Sequence, residues 1–326
     1  MKSNLRLHSL SSLIVLLIVI AAFPSFSAEK WPTKPITIIY PWGAGSGGDI
    51  LTRMIADNLQ KSFGVAVVVE NKAGGTGMIG ASYVSKTKPD GYTLLYLSCT
   101  AITEKPFVAK VPFDPIRGFT YIAQVADYTY GFAVKADAPW KTFKDFIEDA
   151  KKRPGELTVA TTGTGSTHHV ALVKLTSKIK GLNITYVPYK SAPACAAAVL
   201  GKHVSALFTT STWAPQVDSG ELRLLAAPQK ERIKAYPNVP TWIELGYDVY
   251  AQSQIAFVAP PGLPEEIRSR LEQELKKAIN TKEVQDIIDN FRLEKQFKSG
   301  KALYDELMKM YDENKIILPP YFPNPT

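Results

Sequence analysis

Short apolar runs alternate with amphipathic stretches along the chain, and this alternation predicts the fold class. The run ITIIY (Ile36–Tyr40) is short and rich in β-branched residues, which is typical of a buried strand. From Asp49 onward, apolar residues recur on one face of a predicted helix. Such strand and helix patterns alternate with short connections, which predicts an α/β fold with doubly wound parallel sheets. The further predicted strands are VAVVVE (65–70), the end of PDGYTLLYLS (89–98), YGFAVK (130–135), LTVAT (157–161), NITYVP (183–188), VSALFT (204–209), LRLLAA (222–227) and QIAFVAP (254–260).

The order strand, loop, helix fills two successive halves of the chain. We expect the chain to cross between the halves near Asp127–Tyr130 and again near Tyr250–Gln254. Two crossings close together would form a hinge, with a cleft between two lobes. The predicted parts are a first lobe formed by residues 29–128 and 252–326, a second lobe formed by residues 129–251, and a C-terminal helical segment with helices at 281–290 and 301–315.

The first residues have the layout of a secretory signal peptide. Lys2 and Arg6 precede an apolar run at 11–23, and small residues follow it before Glu29. The apolar run is shorter than the roughly 20 residues that a membrane-spanning helix needs. We therefore predict that residues 1–28 are cleaved on export. The alternative is a permanent N-terminal anchor.

Charge and cysteine content narrow the functional classes. The formal net charge is +8, and it is +6 without Lys2 and Arg6. The charges are spread along the chain, which favours acidic small ligands over nucleic acid, since no basic patch with interleaved aromatic residues is present. Cys99 and Cys195 permit one disulfide in an oxidising compartment, but both also fit ordinary buried thiols.

The segment YPWGAGSGGDILTRM (Tyr40–Met54) is the first candidate binding loop. Its glycines let the backbone approach a ligand closely, and the start of the following helix favours an anion. Asp49 is predicted to be the N-cap of that helix, with Arg53 one turn further as its ion-pair partner. A tight turn that binds no ligand is the alternative interpretation.

A nucleotide is a weaker candidate for this anion. Gly43, Gly45 and Gly48 fit the dinucleotide pattern G-x-G-x-x-G, and Glu70 follows the next predicted strand. However, Gly48 is followed by Asp49 rather than by the Lys-Ser/Thr of a phosphate-binding loop. A carboxylate would then lie close to the pyrophosphate. We expect no nucleotide and no other cofactor.

Three further loops follow predicted strands. TTGTGSTHH (Thr161–His169) offers hydroxyl donors at a helix start, whereas its adjacent histidines point too far apart to chelate one metal, so we expect no metal site. VPYKSAPA (187–194) contains Tyr189, and LSCTA (97–101) ends a third strand. In open α/β sheets, ligands bind beyond the carboxyl ends of the strands. The four loops together predict binding in a cleft.

The chain resembles the Bug (TctC-like) receptors of tripartite tricarboxylate transporters. The resemblance covers about Trp31 to Tyr311 and rests on YPWGAGSGGDILTRMIADNL, VVVENKAGGTGMIGASYVSKTKPDGYTLLY, YKSAPACAAAVLGKHVSALF, YPNVPTWIELGYDV and VAPPGLPEEI. It implies a two-lobed periplasmic binding fold that closes on a small organic carboxylate and delivers it to a two-subunit membrane permease. It implies a periplasmic monomer that performs no chemistry.

The resemblance also implies where the carboxylate binds. Main-chain groups and waters at residues 42–48 and 164–167, with His168, would hold it. The sequence departs from the family pattern at Thr209 and Thr210, where an aspartate is common, and at Trp42, which is bulkier than usual. The ligand-binding candidates are Tyr40, Trp42, Gly43, Ala44, Ser46, Gly47, Gly48, Ser98, Thr100, Thr164, Gly165, Ser166, Thr167, His168, Tyr189 and Thr209.

Two other functions remain open from the sequence. A sensor that docks on a receptor kinase would share the same binding fold. An exported hydrolase would need a nucleophile with a base in reach, and Ser166 with His168 or His169 is the available pair.

Overall fold

The computed structural model of the protein describes residues 31–322, so the predicted signal peptide lies outside the described residues. The strands are β1 (Ile36–Tyr40), β2 (Val67–Asn71), β3 (Thr93–Ser98), β4 (Thr120–Asp127), β5 (Tyr130–Lys135), β6 (Thr158–Thr161), β7 (Thr185–Pro188), β8 (Ala206–Thr210), β9 (Leu222–Ala226), β10 (Gln254–Ala259) and β11 (Glu294–Ser299). The α-helices are α1 (Gly47–Phe63), α2 (Met78–Val84), α3 (Thr100–Thr103), α4 (Phe143–Lys152), α5 (Thr167–Lys178), α6 (Ala192–Leu200), α7 (Ala214–Asp218), α8 (Glu265–Ala278), α9 (Lys282–Asn290) and α10 (Gly300–Ile317).

The strands form two separate sheets. The first sheet has the order β11-β4-β10-β3-β1-β2, and the second has the order β7-β6-β8-β5-β9. The chain leaves the first sheet after β4 and returns to it with β10, so the second sheet is made of the strands between them. An α/β fold with two sheets is what the sequence pattern predicted.

Each sheet is parallel in part only. β1 pairs in parallel with β2 and β3, and β6 pairs in parallel with β7 and β8. β10 runs antiparallel between β3 and β4, and β5 runs antiparallel between β8 and β9. The parallel pairing predicted from the sequence is therefore present in each sheet, and the antiparallel strands β5 and β10 depart from it. β5 and β10 each follow a crossing between the halves. Neither strand is joined to a neighbour in its own sheet by the strand–helix–strand connection that produces a parallel pair.

The apolar faces predicted from the sequence are buried. In the second sheet, Phe132 packs on Phe143 and Phe208 in a cluster that also contains Trp242. Helix α4 follows the N-cap Thr142, which forms a reciprocal capping box with Asp145. A stable core on each sheet fixes the loops that follow the strands.

The two cysteines are buried and free. Cys99 follows β3, and Cys195 lies within α6. Burial raises the pKa of both thiols, to about 12 for Cys195. The structure thus supports the interpretation of two ordinary buried thiols over a disulfide. Among residues 31–322, no helix combines the length and the apolar character that crossing a bilayer requires.

Candidate functional site

The loop between β1 and α1 is held by its own side chains. The N-cap of α1 is Ser46, which has an extended backbone and accepts a hydrogen bond from the backbone N–H of Asp49 (3.3 Å). Gly45 precedes it with a left-handed φ of 86°. The prediction of Asp49 as the helix cap is therefore wrong. Gly47 and Gly48 adopt helical conformation, so the N-cap lies three residues earlier than predicted and Asp49 is the third residue of the helix.

Asp49 is 2% exposed, and its carboxylate accepts several of the hydrogen bonds that hold this loop in place. Its Oδ2 accepts from the backbone N–H of Gly45 (3.0 Å) and from Arg53 Nε (3.1 Å), which confirms the predicted ion pair. Its Oδ1 accepts from Asn71 Nδ2 (2.9 Å), which also donates to the carbonyl oxygen of Trp42 (3.1 Å). Burial alone would raise the pKa of Asp49. The hydrogen bonds from Arg53, Gly45 and Asn71 outweigh it and hold the pKa below its usual value.

The loop between β6 and α5, in the second sheet, is built on the same plan. Ser166 is the N-cap of α5 and accepts from the backbone N–H of His169 (3.3 Å). Gly165 has a left-handed φ of 67°, and its N–H donates to His169 Nδ1 (3.0 Å). Each half therefore presents a Gly-Ser turn whose glycine N–H is tied to the side chain three residues after the serine.

The two loops differ in the charge of that side chain. Asp49 is anionic, whereas burial, and then the charge of Lys105, lowers the pKa of His169 to about 4, so its ring is neutral at pH 7. The ring stacks on Tyr186 (centroids 3.9 Å apart, planes at 8°), and Tyr186 hydrogen-bonds Thr164 (2.8 Å). The second loop is therefore fixed without any negative charge.

The same contacts argue against a hydrolase. The hydroxyl of Ser166 and the Nδ1 of His169 both bond to backbone N–H groups of their own loop. His168 is 5% exposed, with its ring packed against Tyr130 and Phe208. Burial lowers the pKa of His168 to about 3. The serine and histidines of this loop are structural and do not form a nucleophile–base pair.

Aromatic rings pack against one another beside the first loop. The ring of Trp42 meets Tyr40 (centroids 5.4 Å apart) and Tyr96 (6.0 Å). Tyr40 bonds through its hydroxyl to Ser46 (2.6 Å), and Tyr96 bonds to Tyr128 (2.9 Å) at the first crossing. Trp42 itself remains partly exposed. Its indole is thus fixed by neighbouring rings and still available to a ligand.

Two adjoining cavities connect the halves. The first is lined by Trp42, Ser98 and Thr100, and the second reaches Thr164 of the other half. Three residues line both cavities and so join them into one groove: Thr76, Met78 and Lys105.

Hydroxyl groups bridge the halves at the base of this groove. Ser98 Oγ hydrogen-bonds Thr100 Oγ1 (3.0 Å) and Ser253 Oγ (2.7 Å). Tyr130 lies beside both Ser253 and Thr167, and Thr167 lies beside the buried side chain of Glu104. A polar chain therefore runs from the end of β3, through the second crossing, to the start of α5.

The predicted site residues fall into three groups. Trp42, Ser98, Thr100 and Thr164 line the groove. The exposed residues of the first loop are Gly43, Ala44 and Ser46. The remaining candidates contact protein instead: Tyr40, Gly47, Gly48, Gly165, Ser166, Thr167, His168, Tyr189 and Thr209.

Two of these protein contacts show that a candidate residue is turned towards protein and not towards a ligand. A Cβ at Gly47 would lie 2.7 Å from Cδ1 of Phe291, so this position faces a side chain of the segment after α9. The hydroxyl of Thr209 is buried and donates to the carbonyl oxygen of Thr210 (3.1 Å). The departure from the family pattern at Thr209 therefore presents no free donor to the groove.

Sequence reasoning missed several groove residues. Thr76 and Met78 belong to the quoted segment ENKAGGTG and the residue after it, but no role was assigned to them. Lys105 lies in a 3₁₀ turn after α3 that has no strand pattern before it. Within the described part of the chain, no cluster of three or more His, Cys, Asp or Glu residues is placed to hold a metal ion.

Known proteins resemble this chain over most of its length. A UPF0065 protein from Cupriavidus necator is 35% identical over 92% of this chain and 91% of its own. The solved structure of a TctC solute binding protein from Polaromonas is 28% identical, with a TM-score of 0.74 over 87% of this chain and 98% of its own. The protein Rpa4515 from R. palustris, solved with adipate, is 26% identical, with a TM-score of 0.77 over 87% and 96%.

The family match agrees with these similarities. The model of the family described as "Tripartite tricarboxylate transporter family receptor" matches residues 51–315, which include most of α1, both crossings and most of α10. The resemblance stated from the sequence motifs is thereby confirmed. The chain belongs to the TctC family, whose members are solute-binding receptors and not enzymes.

Proposed function

We propose that the chain captures a small organic carboxylate in the groove between its two sheets. The observation that supports this most directly is the pair of matched Gly-Ser turns, one in each half, each opening a helix. The start of a helix and its dipole favour an anion at both turns. The groove between Trp42 and Thr164 has room for a ligand next to them. The adipate-bound relative supports a carboxylate as the ligand class.

The two halves would act as lobes that close on this ligand. We propose the boundaries 29–128 with 252–326 for the first lobe and 129–251 for the second. The division of the strands into two sheets supports these boundaries, since β4–β5 and β9–β10 are the connections between the sheets. A ligand that contacts both lobes would shift the population toward the closed state. One chain supplies both turns, which is compatible with a monomer.

Delivery of the ligand to a two-subunit membrane permease completes the proposal. It would require export to the periplasm with cleavage of residues 1–28, in keeping with the extracytoplasmic location of the family's receptors. Deletion of the gene should then abolish cellular uptake of the acid that the purified chain binds. Unchanged uptake would contradict a transport role and leave the binding role intact.

Binding predicts a rise in melting temperature with at least one carboxylate. At a free ligand concentration of about 100 times the Kd, the stabilisation is about 2.7 kcal/mol, which raises Tm by about 5 °C for a chain of this size. The measurement is a thermal-shift series with paired mono- and dicarboxylates, starting with adipate. No shift with any acid would contradict the proposed function.

Gly43 provides a matched pair of variants for this test. Nothing lies within 4 Å of a Cβ at Gly43, and its φ is not left-handed, so both small and large side chains fit the fold. We expect Gly43→Phe to melt like the wild type without ligand but to lose the ligand shift, because its ring would cover the first loop. Gly43→Ala should keep most of the shift. Equal shifts in both variants would show that ligand does not approach this loop.

A further inference from the structure

Lys105 stands out among the groove residues because its charge is uncompensated. Among the described residues, its ammonium group has no hydrogen bond and no ion pair, although it is partly buried. It lines both cavities of the groove. Burial lowers the pKa of Lys105, and only the charge of the neighbouring Glu104 opposes this shift. An unpaired cation in a partly dry site is costly unless an anion joins it.

The carboxylate next to it in sequence does not neutralise Lys105. Glu104 is 5% exposed and lies beside Thr167, and the charge of Lys174 acts on it more strongly than the charge of Lys105. No ion pair within 4.0 Å joins Glu104 and Lys105 among the described residues. Glu104 is therefore buried beside Thr167, whereas Lys105 faces the groove.

Lys105 also spans the two halves. It belongs to the first half, yet a Cβ at Gly165 of the second half would lie only 3.6 Å from its Nζ. The loop around Gly165 carries no negative charge, because residues 161–169 contain no Asp or Glu. An anion held by Lys105 would thus meet a cation of one half and the start of a helix of the other.

We propose that Lys105 is a specificity-determining residue that binds an anionic group of the ligand and links that group to closure of the two halves. The proposal rests on the proposed carboxylate-binding function and adds the residue that selects the ligand. A ligand with a second anionic group would place one group at the Gly-Ser turn of the first half and the other at Lys105, beside the Gly-Ser turn of the second half. The apolar part between them would lie along Trp42 and Met78.

The test compares acids that differ only in the second carboxylate. The pairs are adipate with hexanoate, succinate with butyrate, and terephthalate with benzoate, measured by titration calorimetry and thermal shift. In the wild type, the preferred diacid should bind more tightly than its monoacid partner. In Lys105→Met, the affinity for that diacid should fall by about 10- to 100-fold, which is the range of a lost charge-assisted hydrogen bond. The monoacid should be affected by less than about 3-fold.

Two further variants separate charge from structure. Lys105→Arg should retain the preference for the diacid. Lys86→Met, which removes an exposed lysine on the chain segment after α2, should bind like the wild type. Without ligand, Lys105→Met should melt no lower than the wild type, since it removes an unpaired charge from a partly buried place.

The outcomes distinguish this inference from the function on which it rests. If no acid binds the wild type, the proposed function is wrong and the role of Lys105 falls with it. If acids bind the wild type and Lys105→Met equally, the function stands and the role of Lys105 is wrong.

Discussion

Replacement of Asp49 with alanine is expected to lower the free energy of unfolding by about 3 kcal/mol. The carboxylate accepts from Gly45, Arg53 and Asn71, and the variant leaves all three donors without it. We discount the part due to Arg53, because its side chain is 45% exposed and water replaces the lost ion pair. The partly buried donors of Gly45 and Asn71 therefore contribute most of the loss.

Ligand binding should fall with the same variant. The side-chain amide of Asn71, at the end of β2, donates hydrogen bonds to Asp49 and to the carbonyl oxygen of Trp42. Without the Asp49 carboxylate, the first loop is therefore less firmly connected to β2. A loop that is free to move positions its N–H groups less accurately, and we expect at least a roughly 10-fold loss of affinity. Affinity unchanged in a folded variant would contradict a role for this loop in binding.

Urea unfolding at several pH values measures the stability part. Since the pKa of Asp49 lies below its usual value, its contribution is complete above the ordinary carboxyl pKa of about 4 and disappears as the pH falls through the depressed pKa. The difference between wild type and Asp49→Ala should shrink accordingly in acid. Asp57→Ala, at an exposed position of the same helix, should cost less than about 0.5 kcal/mol at any pH.

The position of the binding loops could be predicted because it depends on local pattern. An apolar run followed by glycines and hydroxyls and then by a helical face marks a strand, a loop and a helix start, and the structure has all three at both Gly-Ser turns. The identity of the cap could not be predicted in the same way. Glycine is typical of turns and weakens helices, and only the folded structure shows that the hydroxyls of Tyr40 and Tyr96 leave no room for a side chain at Gly48.

Other features depend on contacts that are distant in sequence. β11 has the polar sequence EKQFKS and is a strand because it pairs with β4 at the edge of the first sheet. The antiparallel strands β5 and β10 follow from the crossings, which no local pattern specifies. Lys105 joins the groove only because α3 and the turn after it pack against the second half at Gly165. A lysine in a short polar turn gives no signal of this before folding.

Replacement of Glu104 with glutamine is expected to change how stability depends on pH. Burial raises the pKa of Glu104 to about 7, despite the opposing charges of Lys174 and Lys105 and the hydrogen bond with Thr167. Its Oε2 has no hydrogen-bond partner among the described residues. Lys174 donates instead to Asn314 Oδ1 (2.7 Å), and Asn314 Nδ2 donates to the carbonyl oxygen of Thr103 (2.7 Å). The folded chain therefore favours the protonated carboxyl.

The sign of the effect follows from this preference. The folded pKa is about 7 and the ordinary value is 4.5, so the wild type has the full contribution of Glu104 below pH 4.5 and loses it as the pH rises through 7. The loss amounts to about 3 kcal/mol, from about 1.4 kcal/mol for each pKa unit. Glutamine stays neutral and keeps the shape. The stability of Glu104→Gln should match the wild type near pH 4.5 and exceed it by about 3 kcal/mol at pH 8.

The difference between the two proteins isolates Glu104 from other groups that titrate in this range. Burial also raises the pKa of Asp127 to about 7, while the lowered pKa values of His168 and His169 act in the opposite direction. These contributions are common to both proteins and cancel when urea unfolding curves at each pH are subtracted. Glu283→Gln, at an exposed position of α9, should show no such trend. If the free energy of unfolding depends on pH in the same way for the wild type and Glu104→Gln, then Glu104 is charged in the folded chain. It would then form an ion pair with Lys174.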